Sequence, residues 1–368
     1  MRPEELWTPD PGFLNTASYG LPPRPAMAAM QVMLDDWRAG RTSWEPWGRS
    51  VDLARERFAK LIGVPAADVA VGATVSELLG LVAAGLPDGA RVVVPDCEFT
   101  SNLFPWLVQA DRGVEVVTVP LDRLADAIDD RTTLVAFSLV QSASGEVSPA
   151  AGITAAARQH GALVAVDATQ ACGWLPVDAT AFDVLVAHAY KWLMSPRGSS
   201  FLYVRPSLAE RMRPVSAGWY AGADRGSSYY GPPLRLAGDA RRFDTSPAWL
   251  SWIGTAPALE VIEQIGVPVI HDHNVRLANR LRAGLGLPPG NSAIVSADIP
   301  GAEAKLAKAG IRASARAGRT RLACHIYTTE QDVDAAISAL EDLKDLGDPA
   351  DLGDPADLGN AGRAGRDA

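Results

Sequence analysis

Two stretches of the chain place a carboxylate and an amine where chemistry is expected. LVAVDATQACGWLPVD begins at Leu163, and VLVAHAYKWLMSPRG begins at Val184. Each opens with a short apolar run that reads as a buried strand; Asp167 closes the first run, and Lys191 follows the second on a loop. Open α/β sheets bind their ligands outside the carboxyl ends of the strands, so an acid and a lysine at neighbouring strand ends are placed to act on one. A structural ion pair between Asp167 and Lys191 fits the same spacing.

Positioning these two side chains requires a sheet. Apolar runs of strand length at 69–71, 91–95, 114–119, 134–137, 163–166 and 184–187 alternate with helical patterns at 53–61, 76–86 and 150–160. This rhythm predicts an open, mostly parallel central sheet in a large α/β domain over 21–245, with residues 1–20 packing near the active site. It stops over 216–247, where Gly, Tyr, Trp and Arg dominate without a clean period. One long helical pattern over 252–285 then precedes strand and helix signals at 294–295, 303–309, 321–326 and 332–343. These predict a smaller α+β C-terminal domain over 246–343. From 344 to 368 the chain repeats DLGDPA and holds little apolar surface to bury, so disorder is expected there.

Composition narrows the function classes. The 368 residues are 48% hydrophobic and 21% charged, the balance of a globular enzyme rather than a disordered, collagenous or coiled-coil chain. With 34 Lys plus Arg against 43 Asp plus Glu, the net charge is -9, and no basic stripe is present to neutralise a row of phosphates. Nucleic acid is therefore not an expected partner. Cys97, Cys172 and Cys324 are too few and too far apart for a disulfide framework or a Cys-x-x-Cys metal site, which predicts a reduced, cytoplasmic protein. No apolar run reaches the roughly 18 residues needed to span a bilayer, so no membrane is expected. His271 and His273 are two apart in a helical pattern and do not share a face, so no metal site is expected.

The DATQA element at Asp167 and the YKWLMSPRG element at Tyr190 resemble the class V aminotransferase family of pyridoxal 5'-phosphate (PLP) enzymes, of the PLP-dependent transferase fold type I. The resemblance runs from LNTASYG at Leu14 to HIYTTEQDV at His325. It implies that Asp167 hydrogen-bonds the pyridinium nitrogen, that Lys191 forms the internal Schiff base and then shuttles the α proton, and that Gln170 bonds the ring oxygen. In VGATVSELLG it implies a phosphate cradle of Ala73, Thr74 and Val75 at a helix N-terminus, although a plain Thr N-cap with Glu77 in a capping box fits the same letters. His188 and Tyr190 match family phosphate contacts, and Ser246, in DTSP, matches a residue that reaches the phosphate of the neighbouring subunit. Phe99, in CEFTSNLFPW, matches the ring that stacks on the cofactor face, with a plain core role as the alternative. Gln141 matches a strand-end position that bonds a cofactor oxygen or the substrate carboxylate. Arg321 matches the arginine that clamps that carboxylate, and Asn15 is a second candidate for it.

The resemblance further implies a small amino-acid substrate and a homodimer with active sites at the subunit interface. Relatives that desulfurise cysteine carry a persulfide-forming Cys just before the carboxylate-binding arginine; residues 313–321 hold none here, and Cys324 follows the arginine. Transamination and carbon-sulfur or β-elimination lysis are the expected reactions, with epimerisation or kynureninase-like cleavage as alternatives. Retention of Asp167, Gln170 and Lys191 together argues against an inactive PLP-fold binding protein. Trp219, Tyr220, Tyr229 and Tyr230, in the 216–247 stretch, are expected to line the substrate entrance and to favour a bulky apolar or aromatic side chain, with packing of the domain junction as the alternative.

Overall fold

The structure is a computed structural model and describes residues 3–341; the repeat expected to be disordered lies outside them. Helices α1 (Pro3–Leu6), α2 (Arg24–Arg38) and α3 (Trp44–Leu61) lead into β1 (Val69–Gly72) and α4 (Val75–Ala84). Then come β2 (Arg91–Pro95), α5 (Thr100–Leu107), β3 (Glu115–Val119), β4 (Leu134–Ser138), α6 (Ala150–Gln159), β5 (Leu163–Asp167), β6 (Val184–His188) and β7 (Ser200–Val204). These strands form one sheet in the order β1-β7-β6-β5-β4-β2-β3, and only β7 runs against the others.

Apolar runs such as VVVP, LVAFS and VLVAH need cover on both faces, and they have it. Phe58 of α3 and Trp252 pack on one face, where Phe58 stacks on Phe201 of β7 at 4.1 Å between ring centroids. Leu78, Leu79 and Val82 of α4 pack with Trp106 of α5 on the other. At the β1 edge the backbone is paired by side chains: the Asp244 carboxylate accepts the Val71 N–H at 2.9 Å, and Arg55 Nη1 donates to the Val69 carbonyl at 2.5 Å. Arg55 and Asp244 also pair with each other in a buried fork. An edge closed in this way offers no template for further strand pairing.

After the short α7 (Pro206–Ala209), the rest of the chain comprises α8 (Trp249–Ile265), α9 (Val267–Gly284), β8 (Ile294–Ala297), α10 (Ala302–Lys308), β9 (Ser314–Arg316), β10 (Arg319–Ala323) and α11 (Glu330–Leu340). The last three strands form an antiparallel sheet, β8-β10-β9, over a core that includes Leu277, Leu322 and Val333. The single long helix expected over 252–285 is two helices. Gly266, at φ +90°, ends α8, and the pair bends by 82° there. Among the described residues no single helix is long and apolar enough to cross a membrane.

The N-terminal segment is stitched to the later half of the chain. Gly12 N–H donates to the Asp332 carboxylate at 2.7 Å, and Asn15 bridges Ala323. Thr16 and Tyr327 share a buried hydroxyl bond of 2.6 Å.

Candidate active site

A single cavity at the carboxyl ends of β4, β5 and β6 is lined by Asp167, Gln170, His188, Tyr190, Lys191, Thr74, Val75 and Phe99, among others. Parallel pairing sets these residues side by side, since Ser138 of β4 lies in register with Asp167 of β5, and Asp167 with Val186 of β6.

Lys191 is 6% exposed, and no hydrogen bond or ion pair occupies its ammonium among the described residues. Burial lowers its pKa to about 8; the charge of Asp167 acts the other way, while Arg321, Arg316 and Arg197 add to the lowering. No ion pair joins Asp167 to Lys191 among the described residues, although each charge acts on the other. Gly20 brings the N-terminal segment onto the lysine: its N–H donates to the Tyr190 carbonyl at 2.9 Å, and a Cβ on Gly20 would stand 1.8 Å from the Lys191 carbonyl oxygen.

The Asp167 carboxylate accepts the Thr169 N–H at 2.8 Å. Burial pushes its pKa up, while bonds from Thr169 and the charge of Lys191 pull it down. A protonated ring nitrogen set against it would supply the missing counter-charge. His188 sits with its Nε2 buried and unpartnered, and burial followed by the charges of Arg197 and Lys191 lowers its pKa to about 3. It is therefore a neutral ring, edge-on to Tyr190 at 4.4 Å.

Phe99 is 46% exposed and faces the cavity, with Lys191 Nζ 5.5 Å from its ring centroid. A core role for it is ruled out by that exposure. The turn that carries Phe99 is held by Glu98, a residue that sequence reasoning passed over. Its buried carboxylate accepts the Ser138 N–H at 2.7 Å, the Phe99 N–H at 3.0 Å and Gln141 Nε2 at 3.3 Å, besides the Ser138 hydroxyl. Burial raises its pKa, against the hydrogen bonds from Ser138 that lower it. No local pattern in DCEFTSN marks Glu98, because its partners arrive from β4. Gln141 lies behind the cavity, bonded to Glu98, with its Oε1 buried and unpartnered.

The α4 N-terminus is capped by Thr74 and also reaches the cavity wall. Thr74 Oγ1 accepts the Glu77 N–H at 3.2 Å as an N-cap, while the Glu77 carboxylate accepts the Ala73 N–H at 3.0 Å, one residue before the cap and so not the full capping box; the Ala73 amide is therefore taken. Thr74, Val75 and Ser76 remain on the cavity wall, at the positive end of the helix.

Gln170 lines the cavity but has both ends of its amide engaged. Its Nε2 donates to the Ala17 carbonyl at 3.0 Å and to Ser142 Oγ at 3.1 Å, and its Oε1 accepts Trp192 Nε1 at 2.7 Å. Arg321 is 1% exposed and stands behind Ser142, donating Nη1 to the Ser142 carbonyl at 2.6 Å and hydroxyl at 3.2 Å, and Nη2 to Ser18 Oγ at 2.8 Å. All these acceptors are neutral; burial, then the charge of Arg316, lowers its pKa to about 10. Asn15 has a buried, unpartnered Oδ1 and does not line the cavity. Ser246 is exposed and lies outside the cavity of its own chain.

The aromatic stretch follows the junction alternative rather than the substrate entrance. None of Trp219, Tyr220, Tyr229 and Tyr230 lines the cavity. Trp219 meets Trp44 of α3 at 5.1 Å and Tyr229 at 5.1 Å, and Tyr220 packs on Trp249 at 5.8 Å, so three of these rings fill the junction between α3 and α8.

Residues 23–301 match the family described as Aminotransferase class-V. The chain belongs to the class V aminotransferase family. It is 30% identical over 350 residues to an uncharacterized aminotransferase, YcbU, of Bacillus subtilis, covering 89% of this chain and 93% of that protein. It is 27% identical over 339 residues to isopenicillin N epimerase of Streptomyces clavuligerus, covering 79% and 83%. Among solved structures, the cystine C-S lyase C-DES in complex with cysteine persulfide superposes with a TM-score of 0.82 at 22% identity, covering 91% of this chain and 98% of that one.

As a member of this family, the class V chain is a PLP-dependent enzyme of fold type I. Its own residues fit that cofactor. The unpaired Lys191 ammonium, the Asp167 carboxylate, the unpartnered His188 Nε2, the exposed Phe99 face and the α4 N-terminus supply an amine, a counter-charge, a polar contact, a stacking surface and an anion site within one cavity.

Proposed function

We propose that this class V enzyme acts on an amino acid, by transamination or by elimination of a side-chain sulfur or other β substituent, with Lys191 as the proton-transferring base. The observation that carries this reading is the buried, unpaired amine of Lys191 beside a buried carboxylate in the same cavity. Bound PLP supplies an electron sink for the pair released at the substrate's α carbon.

Lys191 would hold the cofactor through its amine, and with a pKa of about 8 a useful fraction of it is neutral near pH 7. The same amine, at the strand end where it sits, would take the substrate's α proton. The negative charge of Asp167 would keep a proton on the cofactor's ring nitrogen. Phe99 would offer its exposed face for the cofactor ring to stack on and would exclude water there. Arg321 supplies the field for the substrate carboxylate. Ser142 Oγ accepts from both Arg321 and Gln170, so its own proton is left to donate into the cavity toward that carboxylate.

The three cysteines support lysis without a protein-bound sulfur rather than persulfide relay. Cys97 has its thiol pushed up to about 11, first by burial and then by Glu98 and Asp96, while Cys172 and Cys324 are buried. All three are free, which fits a reducing, cytoplasmic setting. A homodimer belongs to the same reading, with the exposed Ser246 turned to the partner's cofactor phosphate.

An amino-acid screen that reads spectral change together with keto acid, pyruvate, ammonia and sulfide tests the proposal. Keto acid formed with amine transfer, or pyruvate with ammonia or sulfide, supports it. Racemised substrate without keto acid would replace it with epimerisation, and no change with any amino acid would refute it.

A further inference from the structure

The cavity wall carries a second cation besides Lys191, and nothing in the reading above uses it. Arg197 follows Lys191 on the loop between β6 and β7. Its guanidinium lies 5.0 Å from the Tyr190 ring centroid, and Nη1 donates to the Tyr19 hydroxyl at 3.1 Å. Tyr19 and Tyr190 are themselves in contact at 5.2 Å, so two rings from distant parts of the chain hold the arginine in place. No carboxylate pairs with Arg197 among the described residues; the groups acting on its charge are Tyr19, Tyr190 and a little burial.

Its end of the cavity can be identified. Gly72 of β1 lies in register with Ser200 of β7, and Ser200 with His188 of β6. Ser200 Oγ donates to the Ala73 carbonyl at 3.3 Å, so His188, Ser200 and the α4 N-terminus meet at one corner. Arg197 belongs to that corner: it precedes Ser200 by three residues, and its charge is the largest after burial acting on His188. The α4 terminus there offers hydroxyls and N–H groups but no cationic side chain, and the carboxylate of Glu77 is bonded there to the Ala73 N–H. A phosphate dianion needs more than the half charge of a helix terminus. A planar guanidinium already oriented by two rings meets that need with little further ordering.

We propose that Arg197 is the cation that pairs with the cofactor phosphate at the α4 corner of the cavity. The proposal rests on the PLP reading of the site and adds a ligand to it.

The test measures dissociation constants of the apoprotein for PLP and for pyridoxal, which lacks the phosphate, in the wild-type chain and in Arg197→Gln and Arg197→Lys. Far-UV circular dichroism checks each fold. Loss of a charge-assisted bond to phosphate predicts PLP binding weaker by about tenfold or more in Arg197→Gln, partly restored in Arg197→Lys, with pyridoxal binding unchanged. Equal PLP affinity in wild type and Arg197→Gln would overturn the assignment, as would equal losses for PLP and pyridoxal. Unchanged PLP affinity combined with weaker spectral titration by aspartate or glutamate in the holoenzyme would also overturn it, and would give Arg197 to a substrate side-chain acid. A wild-type chain that binds neither PLP nor pyridoxal would sink the PLP reading itself, an outcome distinct from these.

Discussion

Lys191 Nζ lies 5.5 Å from the centroid of the Phe99 ring, across a cavity whose floor is the Asp167 carboxylate. A flat aromatic ring laid on Phe99 meets the lysine on its way to the strand ends. Phe99→Ala is therefore expected to weaken PLP binding several-fold, in line with the roughly 0.5–1.5 kcal/mol of a stacked pair beyond its area. Cofactor titration by fluorescence measures this, and an unchanged dissociation constant would remove Phe99 from the site.

Glu98 holds that ring in place. Its carboxylate accepts from Ser138, Phe99 and Gln141, and an amide there faces N–H groups with a donor of its own. Glu98→Gln is expected to cost about 1–3 kcal/mol of stability for each donor left unmatched, and to weaken cofactor binding no further once Phe99 is already Ala. Additive losses in the double-mutant cycle would show that Glu98 does not act through Phe99.

Gly20 is where the N-terminal segment touches the catalytic loop. A Cβ at this position overlaps the Lys191 carbonyl at 1.8 Å, so Gly20→Ala forces the backbone of the lysine loop to move. The expected cost is about 1–3 kcal/mol of stability with a larger fall in turnover than in substrate affinity. A variant with wild-type turnover and melting temperature would contradict the close approach.

Lys191 should report its environment through pH. The neutral amine is the form that reacts, and its pKa is lowered from 10.5 to about 8. The rate at which apoprotein captures PLP is then expected to rise as pH increases through about 8 and to level off above it. A rate still climbing toward pH 10 would mean that the lysine is not desolvated.

Much of this arrangement was legible in the letters, because strands buried on both faces read as continuous apolar runs. The runs at 91–95 and 163–166 match β2 and β5 to within a residue. Periodicity was less telling where long-range pairing decides. Nothing in FLYV says that β7 runs against its neighbours, and the helical period continues across Gly266 although the backbone turns there. The start of α3 at Trp44 was hidden by the polar Glu45, Arg49 and Asp52 of its outer face. At the site, Asp167 and Lys191 stood out at strand ends, whereas Glu98 and Ser142 acquire meaning only from partners distant in sequence. The rings of 216–247 had too many possible neighbours for the sequence to choose among. Since Tyr229 packs on Trp219, Tyr229→Ala is expected to lower the melting temperature while leaving KM unchanged; a raised KM at an unchanged melting temperature would return the loop to the substrate entrance.

The central claim is that Lys191 is the residue that holds the cofactor covalently. Borohydride treatment of the PLP-loaded protein followed by peptide mass spectrometry tests it most directly. The account predicts a stable phosphopyridoxyl adduct on the peptide containing Lys191, absent after Lys191→Ala; an adduct on another lysine, or one that survives that substitution, would contradict it.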